Sequence, residues 1–289
     1  MKFGIIFANT GPFAEPEAAI EMALAAEEAG FESVSTVEHV VIPEGYESAY
    51  PYDRSGKMPG SDKAPIPDPL IWLSFVAART STIRLATGIL ILPQRNPVVL
   101  AKELATLDHL SGGRMDLGVG IGWLAEEFDA LGIPFSERAA RTDDAIGALR
   151  ALWSQDVASY AGAFTSFANC ISKPQPINGA IPIHVGGHSE AAARRAGRLG
   201  DGFFPGEGNH AKLANLIEIA RNAAADAGRD PEALEITSGG RGVFGPGALD
   251  EVSALAELGV DRVVVPAFLY YADTADALAA FGAEVIAKS

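Results

Sequence analysis

Residues 83–119 read IRLATGILILPQRNPVVLAKELATLDHLSGGRMDLGV, and this stretch decides the fold. Its first part, Ile83–Ile91, is a run of apolar and β-branched residues of the kind found in buried strands. Val98–Leu110 then repeats apolar residues at helical spacing, and Met115–Val119 forms a second apolar run. A strand, a helix and a strand in such close succession predict a crossover unit that joins two parallel strands.

The same alternation continues through the rest of the chain. Further strands are predicted at Phe3–Ala8, Ser33–Val37, Ile183–Val185, Gly202–Phe204, Leu234–Thr237 and Arg262–Val265. Further helices are predicted at Glu15–Ala29, Pro69–Arg79, Glu137–Trp153, Glu190–Arg198, Lys212–Ala227, Leu249–Leu258 and Thr274–Ala287. Eight strand and helix pairs predict an α/β fold, a closed (β/α)8 TIM barrel formed as one domain by residues 1–289. An open doubly wound sheet is disfavoured because residues 8–12, ANTGP, lack the glycine-rich turn expected after its first strand.

Two insertions interrupt the repeat and are expected at the carboxyl-terminal face of the barrel. Residues 40–68 are rich in Pro, Gly, Tyr and Ser, and a loop of this length in a compact domain is usually functional. We therefore predict a lid that carries Tyr46, Tyr50 and Tyr52. Residues 157–182 predict a short hairpin followed by an extended segment.

Composition limits the class of protein. The chain of 289 residues is 48% hydrophobic and 20% charged, as expected for a globular protein. Its net charge of −15, without clustered Lys or Arg, argues against nucleic-acid binding. No apolar run approaches a membrane span, and the first residues predict a strand rather than a secretion signal. The single cysteine, Cys170, rules out an internal disulfide, so we expect a cytoplasmic protein.

Glu38 and His39 directly follow the second predicted strand. Active sites of α/β barrels lie at the carboxyl ends of the strands, so this pair is expected at the mouth of the barrel. Histidine titrates near neutral pH, which makes His39 the candidate catalytic acid or base. The residues alone also fit a histidine that packs beneath the lid.

Glycines and small residues mark three further strand ends. Gly88 interrupts the third strand, and Gly120 and Gly122 follow the fourth, where missing side chains let a flat ring approach the backbone. Residues 186–189, Gly-Gly-His-Ser, precede a helix whose free N–H groups and dipole favour phosphate. Simple packing of the glycines and a plain N-cap at Ser189 fit the same residues. No nucleophile elbow, metalloprotease motif or Walker loop is present in the sequence.

Longer stretches resemble a known family. Arg79–Arg114, Leu117–Trp123 and Glu126–Phe128 resemble the luciferase-like monooxygenase superfamily, and the likeness extends through Gly200–Phe203. Tyr50–Tyr52 makes the chain most similar to the branch that depends on the deazaflavin coenzyme F420. This resemblance implies a homodimeric barrel that transfers a hydride between F420 and a small-molecule substrate. An FMN-dependent monooxygenase and a non-catalytic flavin-binding protein are the alternatives.

The resemblance also implies roles for the strand ends. Gly88 and Ile89 match a bulged segment that backs the ring, often through a non-prolyl cis peptide, while Gly120 and Gly122 match a segment that lies along the ring. Gly186, Gly187, His188 and Ser189 match a phosphate-binding turn.

The resemblance also implies roles for the Glu38–His39 pair and for Trp123. Glu38 and His39 match an Asp-His pair that lies beside the ring and the substrate. Trp123 stands where the sugar-phosphate dehydrogenase branch has a catalytic glutamate, so that branch's proton donor does not transfer to this chain. With Tyr46, Tyr50 and Tyr52, Trp123 is expected to enclose an apolar substrate pocket.

Overall fold

The computed structural model describes residues 1–240 and 242–289. Nine parallel strands form one sheet: β1 (Lys2–Ile6), β2 (Ser33–Thr36), β3 (Arg84–Thr87), β4 (Leu90–Ile91), β5 (Met115–Gly120), β8 (Ile183–Gly186), β9 (Gly202–Phe204), β10 (Glu235–Gly239) and β11 (Arg262–Pro266). An antiparallel hairpin consists of β6 (Ala158–Ala161) and β7 (Ser166–Cys170). The helices are α1 (Pro16–Glu28), α2 (Pro69–Ala77), α3 (Pro97–Ser111), α4 (Ala125–Ala130), α5 (Arg138–Ser154), α6 (Glu190–Leu199), α7 (His210–Asp226), α8 (Ala248–Glu257) and α9 (Thr274–Glu284).

The sheet closes into a barrel of eight strand positions, called staves below, and closure occurs at the third of them. The strand order is β3-β2-β1-β11-β10-β9-β8-β5-β4, and β3 pairs with β5 as well as with β2, so that Ala86 lies opposite Asp116. β4 also pairs with β5, so β3 and β4 are two halves of one stave. The result is a parallel barrel of eight staves surrounded by helices, which confirms the predicted TIM barrel.

Local sequence signals explain where several helices begin. The Asp68 side chain accepts hydrogen bonds from two backbone N–H groups at the start of α2, and Asn96 does the same for α3. Both helices have proline at their first position, where no N–H is needed. Leu73 of α2 and Leu104 of α3 are fully buried and join one continuous core with the strands.

Several predicted bounds differ from the structure, including those of the third strand, the first strand and the last helix. The strand predicted at Ile83–Ile91 is broken at Gly88–Ile89, whose peptide bond is cis. The first strand ends at Ile6 rather than Ala8, because Phe7 has a positive φ of 64° and its carbonyl accepts hydrogen bonds from Thr10. α9 stops at Glu284 and continues only as a short 3-10 turn.

One helix was not predicted from the sequence at all. α4 occupies residues 125–130, directly after the fourth stave and before α5. It is a helix of fewer than two turns, too short to show a recognisable apolar period. This helix carries the two glutamates that organise the mouth of the barrel.

The two insertions differ in position. Residues 40–68 contain turns but no helix or strand, and they begin after β2 at the mouth. The hairpin begins after α5 and runs back along that helix, where the Tyr160 hydroxyl donates to the Asp144 carbonyl. Its turn lies beside residues 92–98 at the rim, with a cavity of about 360 Å³ between them.

Within the described part of the chain, no helix is long and apolar enough to cross a membrane.

Candidate active site at the barrel mouth

His39 lies at the carboxyl end of the second stave, as predicted, and it makes one strong polar contact. Its Nδ1 atom is 3.0 Å from Oε2 of Glu127, and its side chain is 9% exposed. The imidazole also meets Trp123 edge to face, with ring centroids 5.7 Å apart. One ring nitrogen is therefore held by a carboxylate, and the described residues donate or accept no hydrogen bond at the other, Nε2.

Glu127 is the buried anchor of this region. Its side chain is 0% exposed, and its Oε1 atom accepts hydrogen bonds from the backbone N–H groups of Val40, at 2.6 Å, and Val41, at 3.2 Å. Together with His39, one carboxylate therefore holds three consecutive residues at the base of the lid.

The neighbouring Glu126 holds the next part of the lid. Its Oε1 atom accepts hydrogen bonds from the N–H groups of Glu47, at 2.7 Å, and Ser48, at 3.1 Å. Hydrogen bonding by Ser48, reinforced by backbone N–H donors, lowers the pKa of Glu126 to about 2. The Ser48 hydroxyl in turn accepts from the Ala125 N–H. Hydrogen bonds at both Ala125 and Glu126 therefore join the start of α4 to the lid.

Aromatic rings form a continuous wall from the histidine to the far side of the mouth. Trp123 packs edge to face against Tyr46, at 5.5 Å, and Tyr50, at 5.2 Å. Tyr50 meets Tyr52 at 5.5 Å, and Tyr52 meets His188 at 5.0 Å. The structure therefore brings the predicted lid tyrosines and Trp123 together.

Tyr46 and Tyr50 differ from Tyr52 in their surroundings. Tyr46 is 4% exposed, and its hydroxyl accepts a hydrogen bond from the Met58 N–H. Burial raises the pKa of Tyr50 to about 12, and nearby Tyr52 and Asp53 add to the effect. Its hydroxyl stays neutral over the physiological range. Tyr52 is half-exposed and lies over Gly206 as well as His188.

The glycines of the strand ends accommodate Ile89. A Cβ atom on Gly120 would lie 2.5 Å from the Ile89 Cδ1 atom, and one on Gly186 would lie 2.7 Å from its Cγ2 atom. Gly88 and Ile89 themselves are half-buried at the mouth. Packing thus explains Gly120 and Gly186, since their missing side chains let Ile89 settle onto the strand ends.

Gly122 is required for its backbone conformation, whereas Gly120 and Gly186 make room for the Ile89 side chain. It has a positive φ of 79°, a conformation that L-residues rarely adopt, and a Cβ there would lie 2.7 Å from the Phe128 ring. This turn leads the chain from β5 into α4. Gly122 therefore sets the direction of Trp123 and Glu127 rather than offering an open surface.

The predicted phosphate turn joins β8 to α6. Gly187 has a φ of +135°, and Ser189 caps the helix by accepting a hydrogen bond from the Ala192 N–H at 3.2 Å. His188 and Ser189 are exposed, so the start of a ten-residue helix faces the mouth. The dipole and free N–H groups of such a helix end suit an anion.

Glu38 is placed differently from His39 despite being its neighbour. Its buried carboxylate accepts from the Ile91 N–H at 2.5 Å and from the Arg95 guanidinium, whose Nε is 2.8 Å away. Arg95 also reaches the helix-capping Asp68. Burial raises the pKa of Glu38, and the Arg95 charge opposes that rise. Glu38 therefore ties the segment after β2 to β4 and to the segment that follows β4.

Sequence reasoning missed one residue that shapes the site: Glu127 contributes the carboxylate on His39. Ile89 was predicted at the site, and its side chain packs where Gly120 and Gly186 lack side chains. Glu127 did lie within the Glu126–Phe128 stretch that supported the family resemblance. Two adjacent glutamates a few residues after a strand end were the available signal, because burial of a carboxylate is costly unless it has partners.

A closed parallel barrel with a carboxylate-bound histidine, glycine-lined strand ends and an aromatic lid at its carboxyl mouth defines an α/β-barrel enzyme. The chain belongs to the luciferase-like monooxygenase family, whose model matches residues 1–280. This membership confirms the predicted oxidoreductase or monooxygenase class.

Two relatives illustrate the range of the family. An uncharacterized protein of Mycobacterium tuberculosis is 32% identical over 269 residues, which cover 91% of each chain. A protein named F420-dependent glucose-6-phosphate dehydrogenase, from Nocardia farcinica, is 32% identical over 230 residues, covering 76% of this chain and 62% of the relative.

Solved structures share the whole fold. Monooxygenase RslO1 from Streptomyces bottropensis is 26% identical, with a TM-score of 0.74, and the match covers 100% of this chain and 99% of that one. The F420-dependent tetrahydromethanopterin reductase from Methanopyrus kandleri has a TM-score of 0.78 at 19% identity, with 99% of both chains covered. At that identity the likeness establishes the fold alone.

Proposed function

We propose that this protein is an F420-dependent oxidoreductase that transfers a hydride between the deazaflavin and a small organic substrate. The observation that carries the proposal is the His39 imidazole at the barrel mouth, held at Nδ1 by Glu127 and without a described hydrogen bond at Nε2. The F420-dependent name of the Nocardia farcinica relative supports the choice of cofactor.

The residues of the mouth fit a flat ring with an anionic tail. The Gly88–Ile89 backbone would back the ring, with the Ile89 side chain packed against Gly120 and Gly186, and Glu38 would help to hold this segment in place through Ile91. The exposed turn at Gly187, His188 and Ser189 would hold the phosphate. When bound, the deazaflavin supplies a carbon that accepts or donates a hydride, which is one proton with two electrons.

His39 would handle the proton that accompanies the hydride. When a substrate carbon gives up a hydride, its attached heteroatom must lose a proton, and Nε2 of His39 would accept it. In the reverse direction the imidazolium would return that proton. Trp123 replaces the glutamate of the sugar-phosphate branch, so His39 is the titratable side chain that we assign to this step.

The surroundings favour a substrate with an apolar body. Trp123 and Tyr50 line the lid side of the mouth, and Tyr50 keeps its proton because its pKa is raised to about 12. At the end of β1, the ring centroid of Phe7 lies 6.2 Å from that of Phe268, whose side chain is 54% exposed. These rings offer contact area without charge, unlike a site built for a sugar phosphate.

Replacing His39 tests the proposal. We expect His39→Ala to lower kcat by about 10²–10⁴-fold while the affinity for F420 changes little, because the ring would rest on backbone rather than on this side chain. Turnover and cofactor affinity are measured separately, by steady-state kinetics and fluorescence titration. Unchanged kcat with cofactor bound would remove His39 from the mechanism.

An FMN-dependent monooxygenase is the second candidate, favoured by the full-length match to monooxygenase RslO1. A ligand that binds only the folded state raises the melting temperature, so F420 and FMN can be compared at equal concentrations. We expect F420 to protect more strongly. Greater protection by FMN, with substrate-dependent O₂ consumption, would support the monooxygenase. Tight binding without turnover of any substrate would support a flavin-binding protein.

We further propose that the protein works as a homodimer in the cytoplasm. α2 and α3 pack side by side and expose Ile71 (73%) and Phe75 (44%) on one helix and Val99 (55%) on the other. Such exposed apolar side chains on adjoining helices suit a self-complementary interface. Phe75→Glu should shift the sedimentation coefficient from dimer to monomer, and an unchanged coefficient would place the interface elsewhere.

A further inference from the structure

We infer that Glu127 is a positioning residue that fixes which nitrogen of His39 carries the proton. The inference rests on the proposed function, because it assigns His39 its direction as a proton acceptor. Its central observation is that the His39 Nδ1 atom lies 3.0 Å from the carboxylate of a fully buried glutamate.

The chemistry of the carboxylate determines the tautomer. An ionised carboxylate only accepts hydrogen bonds, so the proton in its contact with His39 must sit on Nδ1. A neutral imidazole has a single N–H, which leaves Nε2 with a free lone pair. His39 is therefore prepared to accept a proton at Nε2 and, once charged, to return it from the same atom.

The glutamate itself has little freedom to change its contacts. Its other oxygen accepts the N–H groups of Val40 and Val41, which directly follow the histidine in the chain. Any rotation of the carboxylate that released His39 would also break its hydrogen bonds to these two backbone donors. One side chain thus fixes both the backbone and the imidazole of the same segment.

Trp123 limits the imidazole from another side. Its ring meets the His39 ring at an interplanar angle of 85° with centroids 5.7 Å apart. The hydrogen bond at Nδ1 and this edge-to-face contact together restrict rotation of the imidazole. We infer that Nε2 faces the substrate space.

The neighbouring glutamate offers a matched control. Glu126 and Glu127 are adjacent on α4, and each accepts two backbone N–H groups of the lid. Only Glu127 also contacts His39. A Gln at either position would weaken the lid in a similar way, but only at 127 would it alter the partner of Nδ1. If its carbonyl kept Val40 and Val41, its NH₂ group would donate to Nδ1 and move the proton of His39 to Nε2.

The tautomer can be read directly by ¹⁵N NMR of histidine-labelled, cofactor-free protein at a pH where the imidazole is neutral. For wild type we expect His39 to show a protonated Nδ1 and an unprotonated Nε2. Glu127→Gln should reverse this pattern, whereas Glu126→Gln should leave it unchanged. The His39 resonances are assigned from their loss in His39→Ala.

Kinetics give the functional consequence. We expect Glu127→Gln to lower kcat with F420 by about 10²-fold and to change cofactor affinity less than twofold. Glu126→Gln should lower kcat much less. A wild-type spectrum with an unprotonated Nδ1, or an unchanged tautomer in Glu127→Gln, would overturn the inference. If Glu127→Gln does not fold, the wild-type spectrum still decides the tautomer.

The failure of the proposed function would be recognised separately. The NMR measurement needs neither cofactor nor substrate, so a protein that does not bind F420 would still reveal its tautomer. A correct tautomer without F420 binding would contradict the proposed function alone.

Discussion

Both ends of the barrel bury charged side chains, but they do so in different ways. At the amino end, the Arg262 guanidinium lies 2.8 Å from Glu32, 2.7 Å from Glu235 and 3.5 Å from Asp116, and Arg84 adds 2.5 and 2.8 Å contacts to Asp116. At the carboxyl end, the buried carboxylate of Glu127 contacts an imidazole and two backbone N–H groups.

This difference indicates that the amino end of the barrel serves stability and the carboxyl end serves catalysis. Among the described residues, every charge named at the amino end has an opposite charge beside it, and burial of Asp116 is outweighed by Arg84, so that its pKa is lowered. These ion pairs join different strands of the barrel. At the mouth, His39 retains a ring nitrogen without a described partner, which is what proton transfer requires. This division matches the general location of active sites in such barrels.

Removing the central cation at the amino end should have the largest effect on stability. Arg262→Met would leave Glu32, Asp116 and Glu235 close together without their shared partner. We expect a loss of about 3–5 kcal/mol in the free energy of unfolding, measured by urea denaturation. As a control, Arg194→Met removes an exposed pair with Glu190 and should cost at most about 0.5 kcal/mol. Equal effects of the two variants would contradict the contrast between the two ends.

A methyl group at a strand end should have an intermediate effect. Gly120→Ala brings a Cβ to within 2.5 Å of Ile89, so we expect a loss of about 1–3 kcal/mol and weaker F420 binding. Ile89→Ala in the same chain should recover part of the stability, as measured by a double-mutant cycle. Gly239→Ala, at another strand end where a Cβ meets nothing within 4 Å, is the matched control. No recovery in the double variant would show that Ile89 is not the obstacle.

The smallest effect concerns a hydrogen-bonded carboxylate at the amino end. Glu27 accepts hydrogen bonds from Ser81, Thr82 and Ile83, and these outweigh its partial burial to lower its pKa to about 2 from its ordinary value of 4.5. The ionised form therefore stabilises the fold above about pH 4.5, and this contribution is lost as the pH falls toward about 2.

Replacement of this carboxylate should show the same pH dependence. We expect Glu27→Gln to cost about 1 kcal/mol at pH 7 and progressively less between pH 4.5 and pH 2. The measurement is urea denaturation of both proteins across that range. A difference that grows on acidification would contradict the assignment.

The sequence was sufficient to predict the barrel and the position of His39, because both predictions depend on local patterns in the chain. Strand and helix periodicity located every stave, and the position of His39 followed from its place after β2. The link between His39 and Glu127 could not be read in this way, because it joins residues 88 positions apart through a helix of six residues. The seating of Ile89 on Gly120 and Gly186 likewise depends on three staves meeting, although each glycine was singled out from the sequence.

The absorption spectrum of protein purified from a host that makes both F420 and FMN tests the central claim most directly. The mouth is proposed to hold a deazaflavin, so the chromophore released on denaturation should be F420, in near-equal molar ratio to the chain, with no FMN. Release of FMN alone, or protein that carries neither chromophore and gains no thermal protection from added F420, would contradict the proposed cofactor.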